Sequence, residues 1–234
     1  MQVIVDYFPL LLKGLGITLL VSVLGALLCL VVGFTAGLIR TSPNRWIRLP
    51  ATVFVEVFRG TSMVVQMFWL FFALPFLGFQ LTPIAAAVLA LGLNQGAYAS
   101  EVVRAAIRSR PRGQTEASIA LGLSPARRMR RILLPQAIPV MLPGLGNVMV
   151  DLVKNTALVS LVTVADLTFN AQLIRSATGE TTAIFLTILV MYFLVNLGVA
   201  GIIRLLEKHF AIEPTPRSAR RRRMLVGAGG GGRR

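Results

Sequence analysis

The sequence predicts an all-α, polytopic membrane protein with five transmembrane helices, its N-terminus outside and its C-terminus inside. Three observations carry this expectation. The 234 residues are 55% hydrophobic and only 14% charged, and the mean hydropathy of +0.74 places the chain in the membrane class. The apolar residues fall in runs long enough to cross a bilayer. The basic residues, 24 against 9 acidic ones, alternate in density between the loops as the positive-inside rule requires. The first inner loop holds three arginines (Arg40, Arg45, Arg48) and the second holds eight from Arg104 to Arg131, whereas the outer segments hold only Lys13 and Arg175.

Taken in order, residues 1–13 read as a short interfacial helix, with Tyr7, Phe8 and Pro9 near the headgroups. The apolar stretch that follows is a first span from Gly14 to Ile39, too long for the core of a cleavable signal. Gly33 and Gly37 in it form a small-xxx-small pair suited to close helix contact. A second span starts after Pro50 and ends at Pro75, with Glu56 and Arg59 near its cytoplasmic end as an interfacial salt bridge and Gln66 deeper, towards a bundle interior.

The third span, Pro83 to Val103, is unusually polar. Asn94 and Tyr98 are four residues apart and share a face, as do Tyr98 and Glu101. That face either packs polar groups against protein or lines a route through it. The fourth span, Pro139 to Leu161, carries Pro139, Pro143, Gly144 and Gly146, which predict a bent or partly unwound cytoplasmic half. Its centre holds Asp151, Lys154 and Asn155 at pairing distance on one helix. Charges at that depth favour an interior location, and next to a broken helix they are what transporters use for polar solutes. A static Asp–Lys pair that fixes packing is the alternative. Residues 162–182 form an external amphipathic helix around Asp166, Leu167, Phe169, Leu173 and Ile174. The fifth span, Ala183 to Leu206, offers Tyr192 and Asn196 to the bundle.

Residues 1–212 form one transmembrane domain. The tail, 213–234, is rich in Pro, Gly and Arg and reads as disordered, touching anionic lipid at most. The +15 formal charge does not indicate nucleic acid, since the basic residues mark loops and few aromatics accompany them. Cys29 and His209 each stand alone, so no disulfide framework, metal centre or histidine site is expected, and no cofactor.

Between the third and fourth spans lies Glu116 to Pro135, EASIALGLSPARRMRRILLP. Its first part reads as a helix that Gly122 interrupts. Ser124 is an N-cap and Pro125 a first helical residue for a second helix ending before Pro135. Two short helices turning about Gly122 make a knob on the arginine-rich side.

The spacing Glu116-Ala117-Ser118, three residues, Gly122, nine residues, Ile132, one residue, Leu134-Pro135 resembles the EAA loop of binding-protein-dependent ABC importer permeases, with Ser118 standing for the second alanine. The resemblance implies that Glu116, Ala117 and Gly122 couple the chain to an ABC ATPase. VEVFRGTSMVVQMFWLFFALP, GAYASEVVRAAIRSRPRGQTEA and LPGLGNVMVDLVKNTALVSLVTVADL are similar to polar-amino-acid uptake permeases. ADLTFNAQLIRSATGETTAIF and FFALPFLGFQL most resemble ectoine and hydroxyectoine permeases. The family pattern has Lys-Asp-Thr where this chain has Lys154-Asn155-Thr156.

The resemblance implies a bacterial inner-membrane importer for a small zwitterionic solute, ectoine or hydroxyectoine first and a polar amino acid or opine second. It also implies an ATPase dimer, a second permease subunit and an extracytoplasmic solute-binding protein as partners. The chain lacks a GxxxxGK[ST] phosphate loop and is not expected to be an enzyme. A scaffold for another cytoplasmic protein, or a channel, are the competing readings.

Overall fold

A computed structural model describes residues 2–210, with side chains from Val5 onward. The tail expected over 213–234 lies outside the described residues. Among the described residues all regular structure is helical: α1 (Gln2–Ile39), α2 (Arg45–Gly60), α3 (Met63–Phe68), α4 (Pro83–Arg108), α5 (Arg112–Ala120), α6 (Pro125–Arg128), α7 (Leu134–Asn155), α8 (Leu167–Thr178) and α9 (Thr181–Phe210). Among the described residues, three stretches are long and apolar enough to cross a membrane, Val5–Ile39, Pro125–Val162 and Thr181–Phe210. The bent pair Arg45–Gly60 and Met63–Leu77 makes a fourth if counted as one span. The 26 residues of α4 are long enough, but its polar stretch from Asn94 to Ser100 lowers its hydropathy.

The core is built around α4. It runs parallel to α1, and the two helices interlock through reciprocal glycine notches. A Cβ on Gly33 would lie 2.6 Å from the Ala99 Cβ, and one on Gly37 2.8 Å from the Val103 Cβ. In return Leu28 and Val32 of α1 fill the notches at Gly92 and Gly96. Such backbone approach gives dispersion contact where lipid offers no hydrophobic drive between helices. The Gly33/Gly37 pair thus has a counterpart, Gly92/Gly96, that sequence inspection passed over. Buried Cys29, Ala99, Val103, Met141 and Leu152 join α1, α4 and α7 in the main cluster.

Three sequence expectations are corrected here. The separate interfacial helix expected over residues 1–13 is not found: residues 2–13 are the start of α1, with Pro9 inside it. A proline in the third turn removes one hydrogen bond near the start of the helix without ending it. The second span is not one helix: α2 and the following segment bend by 104° at Thr61 and Ser62. Carbonyls at the end of α2 need new donors there, and both Gln66 Nε2 and Asn94 Nδ2 supply them, each 2.9 Å from the Phe58 oxygen. Gln66 also donates to Thr61 Oγ1 at 2.6 Å and accepts from Asn94 at 3.1 Å.

The third correction concerns α7, which is continuous through Pro139 and Pro143. Pro135, Pro139 and Pro143 are four apart, so the missing N–H groups fall on one line of the helix and leave the rest of the ladder whole. Gly144 and Gly146 serve contact rather than unwinding, because added Cβ atoms would meet Val102 of α4 and Ile203 of α9 at 2.6 Å each. The irregular backbone lies at the two ends instead, as a π turn at Met129–Leu133 and a 3₁₀ turn at Thr156–Val162.

Helix α8 forms as expected, with Leu167, Ala171 and Ile174 buried against Leu11, Ile184 and Ile188. Asp166 caps it. Its Oδ1 accepts the Phe169 N–H at 2.9 Å and its Oδ2 accepts the Tyr192 hydroxyl at 3.2 Å. Burial raises the Asp166 carboxyl above its ordinary pKa, with these hydrogen bonds opposing the rise only in part. A raised folded-state pKa means that the folded chain holds the proton more tightly than the unfolded one. Stability from this group is therefore greatest below the ordinary carboxylate pKa and is lost as pH rises through the folded value. Asp166→Asn keeps a cap acceptor and carries no charge, and Asn and Asp are near-equal caps. The variant's melting temperature in detergent, relative to the parent, should be higher at neutral pH than at pH 4.5.

Candidate functional site

The polar faces of α4 and α7 meet the α2–α3 bend around a cavity of about 590 Å³, within the range of small-ligand sites. Helix α4 contributes Asn94, Gln95 and Tyr98, α7 contributes Asn147, Val148, Asp151, Lys154 and Asn155, and the bend contributes Thr61, Ser62 and Met63. All five residues singled out in the third and fourth spans, Asn94, Tyr98, Asp151, Lys154 and Asn155, therefore border one space. Thr61, Ser62, Met63, Gln95, Asn147 and Val148 complete the lining. Asn147 could have been found, since it lies one helical turn before Asp151 on the same face. The bend residues could not, because no periodicity relates them to α4.

Their surroundings differ. Asn94 is buried at 4% exposure and spends its amide N–H groups on Phe58 and Gln66, so it shapes the cavity wall. Lys154 Nζ is 3.6 Å from Asp151 Oδ1, with both side chains 61% exposed. Within one chain the pair faces the open cavity, where solvent weakens it. Both groups are free to exchange partners. Asn155 ends α7, and the 3₁₀ turn begins at Thr156, which is buried and donates to Val153 O at 2.6 Å.

One turn below Tyr98 on α4, Glu101 collects three guanidinium groups. Arg40 Nη1 lies 2.8 Å and Arg59 Nη1 3.1 Å from its Oε1, while Arg104 Nη2 lies 2.8 Å from Oε2. Glu56 pairs with Arg40 at 3.8 Å. The expected Glu56–Arg59 bridge is replaced by these longer-range pairs. The Arg59 guanidinium also stands 5.3 Å from the centre of the Tyr98 ring.

The hairpin between α4 and α7 is formed by α5 and α6. Gly122 adopts φ +70, and the Leu123 N–H reaches Ser118 O at 3.1 Å while the Gly122 N–H reaches Ile119 O at 2.8 Å. This is the paired closure in which a left-handed residue ends a helix, and glycine adopts it without steric cost. Ser124 caps α6 as expected, accepting from the Arg127 N–H at 3.5 Å. The helix does not end before Pro135, however, but passes through the π turn into α7. Glu116 and Ala117 are exposed, as are Ile119 and Leu121. Ser118 is buried at 1% exposure and donates to Thr115 O at 2.7 Å, so a small residue is required there. Arg110 Nη1 donates to Gln136 O at 3.1 Å and closes the base of the hairpin.

A helical membrane protein built round a polar cavity, with a basic hairpin joining the two helices that line it, belongs among polytopic transport subunits. Residues 29–212 match the family described as binding-protein-dependent transport system inner membrane component, and the chain belongs to that family. It is 39% identical over 208 residues to the "Probable amino-acid ABC transporter permease protein y4tF" of Sinorhizobium fredii, covering 86% of this chain and 87% of that protein. It is 39% identical over 206 residues to the glutamine transport system permease protein GlnP of Escherichia coli, covering 87% and 94% respectively. Among solved structures, an amino acid ABC transporter with histidines superposes with a TM-score of 0.81 at 34% identity, over 88% of this chain and 96% of that one. The chain is accordingly a multi-pass inner-membrane protein with a transport role, not an enzyme.

Proposed function

We propose that this chain is the permease subunit of an ATP-driven importer for polar amino acids, and that its solute passes through the cavity between α4 and α7. The observation that carries the proposal is the convergence on one space of Asn94, Tyr98, Asp151, Lys154 and Asn155. A carboxylate and an ammonium 3.6 Å apart match the two charges of a zwitterion, with Asp151 facing its ammonium and Lys154 its carboxylate. Asn155 in place of an acid leaves this balance neutral, which suits an uncharged side chain better than a cationic one. The glutamine and other amino-acid names of the relatives support the same solute class. A second reading, ectoine or hydroxyectoine, rests on the segments Ala165 to Phe185 and FFALPFLGFQL, and those solutes share the zwitterionic chemistry.

In this reading the five spans are α1, α2 with α3, α4, α7 and α9, the N-terminus is outside and the C-terminus inside, as the arginine distribution favours. The α5–α6 hairpin is the EAA loop. Glu116, Ala117 and Gly122 couple it to an ABC ATPase dimer, against which the exposed Ile119 and Leu121 pack. A second permease subunit covers the open side of the cavity, and an extracytoplasmic binding protein delivers solute. Purification of the tagged chain from its native membrane should bring down a soluble ATPase in stoichiometric amount. Its absence from a chain purified in mild detergent would leave the scaffold or channel reading in place.

A further inference from the structure

We propose that Arg59 is a positioning residue for transport, whose pairing with Glu101 closes the cytoplasmic end of the cavity. The inference rests on the importer reading for the side of the membrane involved, and on geometry for the rest.

The Glu101 carboxylate has more cations than it needs. Arg40 is 4% exposed and 2.8 Å away, and Arg104 lies on the same helix at 2.8 Å. These two hold Glu101 without help. Arg59 is the third cation and shares Oε1 with Arg40, a like charge at close quarters. It is also the most exposed of the three, at 36%. Its departure leaves no buried charge unpaired, so this contact can open and close at small free-energy cost, unlike a buried pair with a single partner.

The three arginines stand on differently attached elements. Glu101 and Arg104 lie on α4, whose last turn leads through Ser109–Pro111 into α5, and Arg110 ties that junction to Gln136 of α7. The hairpin is thereby tied to the inner ends of both α4 and α7. Arg59 lies in the last turn of α2, immediately before the 104° bend. Displacement of the hairpin relative to α2 is a shear across Arg59–Glu101. The Arg59 guanidinium stands against Tyr98 at 5.3 Å, and Tyr98 lines the cavity, so the same shear alters the cavity wall. Asn94 and Gln66 hold the bend on the other side of this contact through Phe58 O and act as its pivot.

The test places a cysteine at Gln95, which lines the cavity and is 6% exposed, after replacing the buried Cys29 with alanine. A membrane-impermeant charged maleimide is applied to inside-out vesicles containing the chain with its partners. Gln95→Cys should label slowly when Arg59 is present. Arg59→Gln should speed labelling on the order of tenfold, the loss of one charge-assisted hydrogen bond, and Arg59→Lys should restore the slow rate. A merely structural role predicts no rescue by lysine. If Arg59→Gln labels no faster than the parent, or Arg59→Lys labels as fast as Arg59→Gln, the inference is overturned. Should Arg59→Gln fail to reach the membrane, the Gln95→Cys chain with Arg59 intact decides: high KCl must speed its labelling by screening the pair, and an unchanged rate overturns the inference. Failure of an ATPase to co-purify would count against the importer reading alone, because labelling reports the closure whether or not ATP drives it.

Discussion

Replacing Gly33 with leucine should prevent stable assembly of the chain, and replacing it with alanine should destabilise it in a way that Ala99→Gly repairs. Even one methyl at Gly33 would sit 2.6 Å from the Ala99 Cβ, closer than carbon atoms pack. Helices α1 and α4 must then separate, and the matching contacts of Leu28 and Val32 at Gly92 and Gly96 are lost with them. Overpacking of this kind costs on the order of 3 kcal/mol, a large part of the stability of an ordinary domain. Ala99→Gly alone should cost about 1 kcal/mol through helix propensity, yet it removes the atom that clashes. Thermal melting of the two single variants and the double variant in detergent measures the coupling. Additive losses would mean that the α1–α4 contact is not where the glycine notch puts it.

Replacing Gly122 with valine should leave the chain inserted and folded while separating ATP hydrolysis from uptake. At φ +70 a β-branched residue is strained by about 1–2 kcal/mol, but a Cβ at that position meets nothing within 4 Å. The strain is relieved by abandoning the left-handed turn, which frees Ser118 O and Ile119 O and changes the angle between α5 and α6. A hairpin misaligned by that much free energy should lower solute moved per ATP by roughly tenfold. Asparagine, which tolerates the left-handed region, should retain most of the coupling. The ratio of uptake to ATP hydrolysis in proteoliposomes separates the two variants. Normal coupling in the valine variant would remove Gly122 from this role.

Much of this architecture was legible because it is written in local signals. The Ser124-Pro125 start of α6 and the Gly122 turn are backbone requirements that only certain residues meet, and each lies where the sequence puts it. The polar faces of α4 and α7 were readable from helical spacing. Their meeting in one cavity was not, since periodicity says which residues share a face but not which faces oppose. The bend after Gly60 was hidden because α2 and the segment after it read together as one span and no proline stands at the bend. Its clasp comes from Gln66 and from Asn94, 36 residues away. The prolines of α7 misled in the opposite sense: read one at a time they predict a break, whereas at four-residue spacing they spare the helix. Glu101 was missed as a hub because its buried partner, Arg40, is 61 residues distant (101 − 40), and Arg40 reads as an ordinary loop arginine.

The account turns on solute crossing the membrane through the cavity that Asp151 lines, and ATP-driven uptake tests that most directly. The permease, its ATPase and its binding protein would be reconstituted in proteoliposomes and supplied with radiolabelled glutamine and, separately, ectoine. Uptake by the parent should require internal ATP, and Asp151→Asn and Asn155→Asp should each change affinity or selectivity, the first by roughly tenfold for loss of one charge-assisted contact. Uptake that proceeds without ATP, or unchanged affinity and selectivity in both variants, would contradict the account.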